Sequence, residues 1–194
     1  MTLRPAVFID RDGTLTDEVG YVNHPARLSL IPRAAEAIRR LNAAGVAAVV
    51  VTNQAGIARG YFSEDVLGKV HDALHAQLAS AGARLDGLYA CIHHPTEGRP
   101  PHRAACECRK PKPGLLRRAA EELGLDLARS VMVGDKASDL VPARAVGAAA
   151  VLVLTGYGLG EWEYRRAHFD VQPDHVARDL LDAVEWALAR RSLA

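Results

Sequence analysis

The chain has 194 residues, of which 49% are hydrophobic, 5% aromatic and 24% charged, with a formal net charge of +1 at pH 7. That length suits one domain, 1–194, or one domain with a modest insertion, able to bury about 70% of its unfolded surface. A charge so close to zero gives no whole-molecule attraction to nucleic acid or an anionic membrane, and no uncharged apolar stretch approaches the ~20 residues of a membrane span. The N-terminus passes from Arg4 straight into a short apolar run and then charge, unlike a secretory signal, so a cytoplasmic protein is expected.

Strand and helix patterns alternate along the chain. Ala6–Ile9 (AVFI) reads as a buried strand, and 13–23 as a loop or small hairpin punctuated by Gly13 and Gly20. The segment 32–44 reads as a helix with Pro32 near its first turn, an Ala35/Ile38/Leu41 stripe, and Gly45 as its stop. A second strand, 47–51, leads into TNQAGIARGYF. Ser63 then caps an amphipathic helix carrying Val66, Val70, Leu74 and Leu78 and ending near Gly82. A strand is expected at 88–92, followed by a proline-rich, charged and aperiodic loop at 93–113, unusual in a compact domain unless functional or stapled. Further expectations are a helix at Gly114–Leu123, a strand at 131–133, a helix at 138–146 and a strand at 148–154. After TGYGLG come a short strand at 169–171 and a closing helix at 179–189. Strands separated by single helices imply right-handed crossovers and a Rossmann-like, doubly wound, mostly parallel α/β sheet covered on both faces.

Three polar clusters each follow an apolar strand run: DRDGT at 10–14, TNQAG at 52–56 and GDKASD at 134–139. Open parallel sheets place their ligand crevice at such strand ends. Asp10 and Asp12 stand two apart and project to one side of extended chain, after which Gly13 lets the backbone turn away. One carboxylate can attack phosphorus while the other shuttles a proton, roles that require different protonation states. Thr52 and Asn53 offer a hydroxyl, an amide and backbone N–H groups to phosphoryl oxygens. Arg109 and Lys110 open a stiff RKPKPG segment; the Arg109 fork suits phosphate oxygens, and Lys136 beside Asp135 can reach a substrate oxygen or phosphate. Asp139 fits either a helix cap or support of the metal.

The three cysteines, Cys91, Cys106 and Cys108, fit a disulfide framework poorly. With His93 they complete the tetrahedral sulfur and nitrogen set of structural zinc, twelve residues separating His93 from Cys106. His94 and His102 are alternatives for the fourth ligand. The clip, spanning 91–108, would set the approach to Arg109 and Lys110. Zinc beside Arg99, Arg103, Arg109, Lys110 and Lys112 also suits a binding module without catalysis, but no aromatics interleave with these cations as single-strand binders require.

DRDGT, TNQAGIARGYF, C-x-H…C-x-C and CRKPKPG, in this order, resemble the D-glycero-D-manno-heptose 1,7-bisphosphate 7-phosphatase family of the haloacid dehalogenase superfamily. The resemblance spans nearly the whole chain. It implies the haloacid dehalogenase fold with a minimal cap, in which the zinc-stapled loop replaces a lid domain. It also implies Asp10 as nucleophile, Asp12 as general acid and base, and Lys110 beside the nucleophile. Magnesium would be held by Asp10, the Asp12 carbonyl and Asp135. The C7 phosphate of the sugar would be removed and the C1 phosphate kept. Substrate contacts would come from Glu18, Val19, Gly20 and Tyr21, from Asn53 and Gln54 of TNQA, and from Arg109 and Lys136; a monomer is implied. The chain departs from the family at Glu18, Ala55 and Ile92, where Asp, Ser and Pro are common; Ala55 removes a possible hydroxyl donor. Histidinol-phosphate phosphatases share the catalytic clusters and a zinc loop, but the gap before their later cysteine pair is generally shorter.

Overall fold

The computed structural model describes residues 3–190. Among them, six strands form one parallel sheet: β1 (Ala6–Ile9), β2 (Ala47–Asn53), β3 (Gly87–Cys91), β4 (Val131–Gly134), β5 (Ala149–Val153) and β6 (His175–Ala177), in the order β3-β2-β1-β4-β5-β6. The strand order reverses between β1 and β4, where Ile9 is in register with Val133 on one side and with Val50 of β2 on the other. A doubly wound sheet opens its crevice at this point, because crossovers leaving β1 and β4 go to opposite sides.

Strand side chains alternate between two apolar layers. Val7 and Ile9 of β1 join one cluster with Ile38 and Leu41 of α1 (Ala34–Ala43), Val70, Leu74 and Leu78 of α2 (Glu64–Ser80), and Leu180 and Val184 of α6 (Leu180–Leu188). Ala6 and Phe8 join the other, with Leu115, Leu116 and Ala119 of α3 (Gly114–Leu123) and Leu140 and Ala143 of α4 (Ala137–Ala145). Burial on both faces explains why the strands read as continuous apolar runs. Each fully buried Leu, Ile or Val contributes about 1.5–3 kcal/mol of transfer free energy. No helix among the described residues is long and apolar enough to cross a membrane.

The expected elements lie within about two residues of the observed ones, with informative exceptions. α1 begins at Ala34, not Pro32: Arg33 takes a left-handed φ of 69°, and the chain enters the helix through a turn in which Ala34 N–H donates to Ile31 O. In α2 Ser63 Oγ accepts from Val66 N–H as a cap, and Leu67 rather than Val66 is buried. The strand expected at 169–171 is absent. Phe169 and Val171 pack against the Phe8 cluster alongside Trp162, so their apolar character serves packing and not a ladder. The sixth strand lies at His175–Ala177, pinned by Asp174, whose N–H donates to Ala150 O and whose carboxylate accepts Ala150 N–H at 2.8 Å. After β5 the chain forms a short helical run not anticipated from sequence: α5 (Gly158–Gly160), a π-helical turn at Glu161–Arg165 and a 3-10 turn at Arg166–His168.

Candidate active site

Asp10 directly follows β1, and its N–H extends the ladder to Val133 O at 2.9 Å. Gly13 then turns with φ +85° over the end of β4, so close that a Cβ there would stand 2.1 Å from Asp135 Oδ2. Gly156, at φ +56°, closes the other side, its virtual Cβ 2.3 Å from the same oxygen. Asp135 is thereby fully buried; Oδ2 accepts Tyr157 N–H at 2.9 Å, while Oδ1 has no hydrogen-bond partner. Carboxylate oxygens of Asp10, Asp135 and Asp139 lie within 4.8 Å of one another. Burial, reinforced by the charges of Asp10 and Asp139, pushes the Asp135 carboxyl up to about 8. An orphaned buried oxygen amid three carboxylates is the arrangement a hard divalent cation satisfies, so the residues present fit magnesium.

Lys110 Nζ lies 2.7 Å from Asp10 Oδ1, 2.7 Å from Asp139 Oδ1 and 2.9 Å from Val51 O. Burial disfavours its charge, but the two carboxylates outweigh that and hold its pKa above the usual lysine value. The loop bearing it is clamped by Asn53: the Asn53 amide donates to Lys110 O and its carbonyl accepts Lys110 N–H, at 3.0 and 3.1 Å. Asp139 takes the helix-cap role, its Oδ2 accepting Lys136 N–H at the start of α4, while Oδ1 meets Lys110.

Asp12 is held from two sides. The Arg11 guanidinium donates to both its oxygens at 2.8 Å, and Gln54 Nε2 donates to Oδ2 at 2.8 Å while also bonding Thr52 Oγ1 at 2.9 Å. Burial raises the Asp12 pKa; the Arg11 charge opposes this, and Asp10 adds to it.

Asp10, Asp12, Thr52 and Lys110 line one cavity of about 540 Å³. Glu18, Gly20, Tyr21, Asn53, Arg109 and Lys136 line it too, as do Ala55, Arg59, Ser138 and Tyr157. Gln54 is buried, turned onto Asp12 and Thr52, and Asp135 is fully buried with a carboxylate oxygen within 4.8 Å of Asp10. At the rim, Lys136 Nζ sits 3.3 Å from Glu18 Oε2 and 4.3 Å from the Tyr157 ring centroid. Arg59 donates to Tyr21 Oη and, at 2.9 Å, to Glu97 Oε1, tying together three loops.

The cysteine loop gathers next to this cavity. The Sγ atoms of Cys91, Cys106 and Cys108 are 3.1–3.5 Å apart, and His93 Nδ1 is 3.4 Å from Cys108 Sγ and 3.9 Å from Cys91 Sγ. A zinc tetrahedron with bonds of about 2.3 Å has sulfur–sulfur edges of roughly 3.8 Å, a few tenths wider than this cluster, and three thiolates converging with one imidazole are the donors zinc takes. The alternatives for the fourth position are engaged elsewhere: His94 Nδ1 accepts Glu97 N–H, and His102 faces Glu64. Burial raises the pKa of Cys91 and Cys108 in the metal-free cluster, so metal binding would release protons. Arg109 Nη1 reaches His93 O at 3.3 Å, which couples the clip to the cavity wall.

A family model described as HAD-hydrolase-like matches residues 107–183. The chain is 47% identical over 192 residues to the D-glycero-D-manno-heptose-1,7-bisphosphate 7-phosphatase of Thermosynechococcus vestitus, covering 94% of this chain and 95% of the relative. The chain belongs to this heptose-bisphosphate phosphatase family. A Pasteurella multocida member, named for the β-anomer of that substrate, is 43% identical over 168 residues, covering 86% of this chain and 91% of its own. Among solved structures, D,D-heptose 1,7-bisphosphate phosphatase from B. bronchiseptica, complexed with magnesium and phosphate, matches with a TM-score of 0.83 at 35% identity. That match covers 97% of this chain and 98% of the other.

In this heptose-bisphosphate phosphatase family member, sequence reasoning left out Arg11, Arg59, Ser138 and Tyr157. Arg11 carried a readable signal, an arginine locked between two aspartates directly after a buried strand. Arg59 and Tyr157 did not, because in one sequence a loop cation or aromatic is indistinguishable from a solvated one.

Proposed function

We propose that the protein is a magnesium-dependent phosphomonoester hydrolase that removes the C7 phosphate of D-glycero-D-manno-heptose 1,7-bisphosphate and leaves the C1 phosphate in place. The observation that carries this reading is a single cavity lined both by a largely buried set of catalytic residue types and by three further cations. The first set is Asp10, Lys110, Thr52 and Asp12, and the cations are Arg109, Lys136 and Arg59. The named substrate of relatives at 43–47% identity supports the sugar.

In this reading Asp10 is the nucleophile. Lys110, paired with it, orients its carboxylate and offers positive charge to the transferring group. The Thr52 hydroxyl lies in the same wall as a donor to phosphoryl oxygens. Asp12, whose pKa burial raises, gives a proton to the departing sugar oxygen and then takes one from the water that clears the aspartyl-phosphate. Asp10, Asp135 and the Asp12 carbonyl would hold magnesium, which when bound shields the repulsion between Asp10 and the incoming phosphate. Arg109 and Lys136 bind the remote phosphate, while Glu18, Gly20 and Tyr21 contact the sugar. Asn53 acts through the Lys110 backbone and Gln54 through Asp12. Cys91, His93, Cys106 and Cys108 would hold a structural zinc, four protein ligands leaving no open position for water. The family resemblance is what implies a monomer, and three cysteines outside any disulfide support a reducing, cytoplasmic setting.

The test is magnesium-dependent phosphate release from both anomers of the heptose bisphosphate, histidinol phosphate and simple hexose phosphates. The heptose bisphosphate should have the highest kcat/KM, with turnover abolished in Asp10→Asn. A preference for histidinol phosphate overturns the substrate, and persistent turnover in Asp10→Asn overturns the nucleophile.

A further inference from the structure

Arg11 is one of the largest fully buried side chains in the protein, although it sits between two cavity-lining aspartates. A guanidinium is costly to remove from water unless it is paired and hydrogen-bonded. Among the described residues its carboxylate partner is Asp12 alone. Nε donates to Asp12 Oδ1 at 3.0 Å, Nη2 donates to Oδ1 and Oδ2 at 2.8 Å each, and Nη1 stands 3.5 Å from His71 Nε2 on α2. The Arg11 carbonyl accepts the N–H groups of Leu15 and Thr16 at 3.0 and 2.9 Å, so its own backbone is fixed by the turn. Opposite the fork, Gln54 bonds Asp12 Oδ2 and is anchored on Thr52. The carboxylate is thus held on two sides, while its side chain keeps 15% of its surface exposed. A partner needed only to turn the chain would not require a buried planar fork, whose rigid geometry specifies the orientation of the carboxylate it binds.

We infer that Arg11 is a positioning residue for the reaction, its buried fork fixing the Asp12 carboxyl where it can exchange a proton with the ester oxygen of a phosphate bound at Asp10. This rests on the acid–base reading of Asp12 above. In the first half-reaction an Asp10 oxygen bonds phosphorus, the bond from phosphorus to the ester oxygen breaks, and the Asp12 proton moves to that oxygen. In the second, a water oxygen bonds phosphorus, the Asp10–phosphorus bond breaks, and Asp12 takes a proton from the water. Inorganic phosphate leaves and both aspartates are restored. Arg11 exchanges no proton in either half; it acts on the reaction through Asp12, by fixing the place of the carboxyl group, while its charge opposes the rise that burial gives the Asp12 pKa.

Leaving-group dependence reads this role. kcat/KM reports the steps up to phosphoryl transfer, where a sugar alkoxide needs the Asp12 proton and a nitrophenolate leaves without it. The experiment measures kcat/KM for the sugar bisphosphate and for p-nitrophenyl phosphate in the wild type, Arg11→Gln, Arg11→Lys and Asp12→Asn. General acid catalysis contributes about 10²–10⁴-fold. Arg11→Gln should therefore lose at least ~10-fold more on the sugar phosphate than on the aryl phosphate, and Arg11→Lys, which keeps charge without the fork, should fall between. The ratio of the two values within one variant does not depend on how much of the preparation is folded. Arg11→Lys carries the test if Arg11→Gln folds poorly. Equal losses on both substrates in the Arg11 variants, with the differential intact in Asp12→Asn, assign Arg11 a structural role and overturn the inference. Absence of the differential in Asp12→Asn overturns the acid–base reading of Asp12, and the inference falls with it.

Discussion

Lys110→Met removes the cation from the floor of the cavity at nearly constant side-chain length. The lysine side chain is 2% exposed, with its ammonium 2.7 Å from Asp10 and from Asp139. What remains is three carboxylates with oxygens within 4.8 Å of one another. At that separation and an effective dielectric of about 20, each pair of full charges repels by ~3.5 kcal/mol, an amount the native state reduces by taking up protons. Breaking a buried pair from one side costs about 3–5 kcal/mol. For a chain of this size that corresponds to a fall in Tm of roughly 6–20 °C. The measurement is thermal unfolding by circular dichroism, in chelator and in magnesium, from pH 5 to 8. Asp135 and Asp139 both have raised pKa values in the fold, Asp135 to about 8. The native state therefore holds protons that the unfolded chain releases, and stability declines as pH rises from near 4 through about 8. The deficit of the variant should be largest near pH 8 in chelator, shrink toward pH 5, and be partly recovered by magnesium. A Lys110→Met protein melting within 2 °C of the wild type at pH 8 without metal would refute the electrostatic account of this floor.

Stripping zinc with a strong chelator, or Cys106→Ser, should remove one equivalent of zinc per chain by atomic absorption, expose 94–105 to limited proteolysis, and raise KM by about tenfold or more, because Arg109 is held to the clip through His93 O. An unchanged proteolysis pattern and KM would dissociate the clip from the cavity. Gly156→Ala and Gly124→Ala form a matched pair, both at left-handed φ (56° and 64°), but only the first has neighbours within 4 Å. Gly124→Ala should cost only the left-handed penalty of about 1 kcal/mol. Gly156→Ala should lose more and weaken magnesium binding by calorimetry; equal costs would remove the packing role assigned to Gly156. His71 is pushed down to about 4 by burial, with the Arg11 charge adding to it. The stability this provides is present above the unfolded histidine pKa of about 6.5 and is lost as pH falls toward 4, by up to about 3 kcal/mol. His71→Gln should flatten the urea midpoint between pH 7 and 4.5; a variant as acid-sensitive as the wild type would contradict the shift.

The alternation of apolar runs with amphipathic helices was enough to specify the parallel sheet, because a strand buried on both faces has no polar residue to interrupt it. β1, β2 and β4 were legible for that reason, and so were DRDGT, TNQAG and GDKASD at their ends. The helix α3 stands at the expected bounds, Gly114–Leu123, and ends at Gly124, which takes a φ of 64°. β6 was not, since three residues at a sheet edge carry too little pattern, and the apolar Phe169 and Val171 nearby advertised a strand while packing as core. Which histidine completes the cysteine set also required coordinates, since His93, His94 and His102 differ only in where the loop carries them. The same holds for Arg11. Its charge is plain in the sequence, but its lining-up on Asp12 depends on Gln54 and His71, 43 and 60 residues away along the chain. Local patterning settles which segments become strands and helices, because burial is periodic along the chain. The partners of a buried charge are settled only by the packing of segments remote in sequence, and in this protein that packing assigns each carboxylate its place.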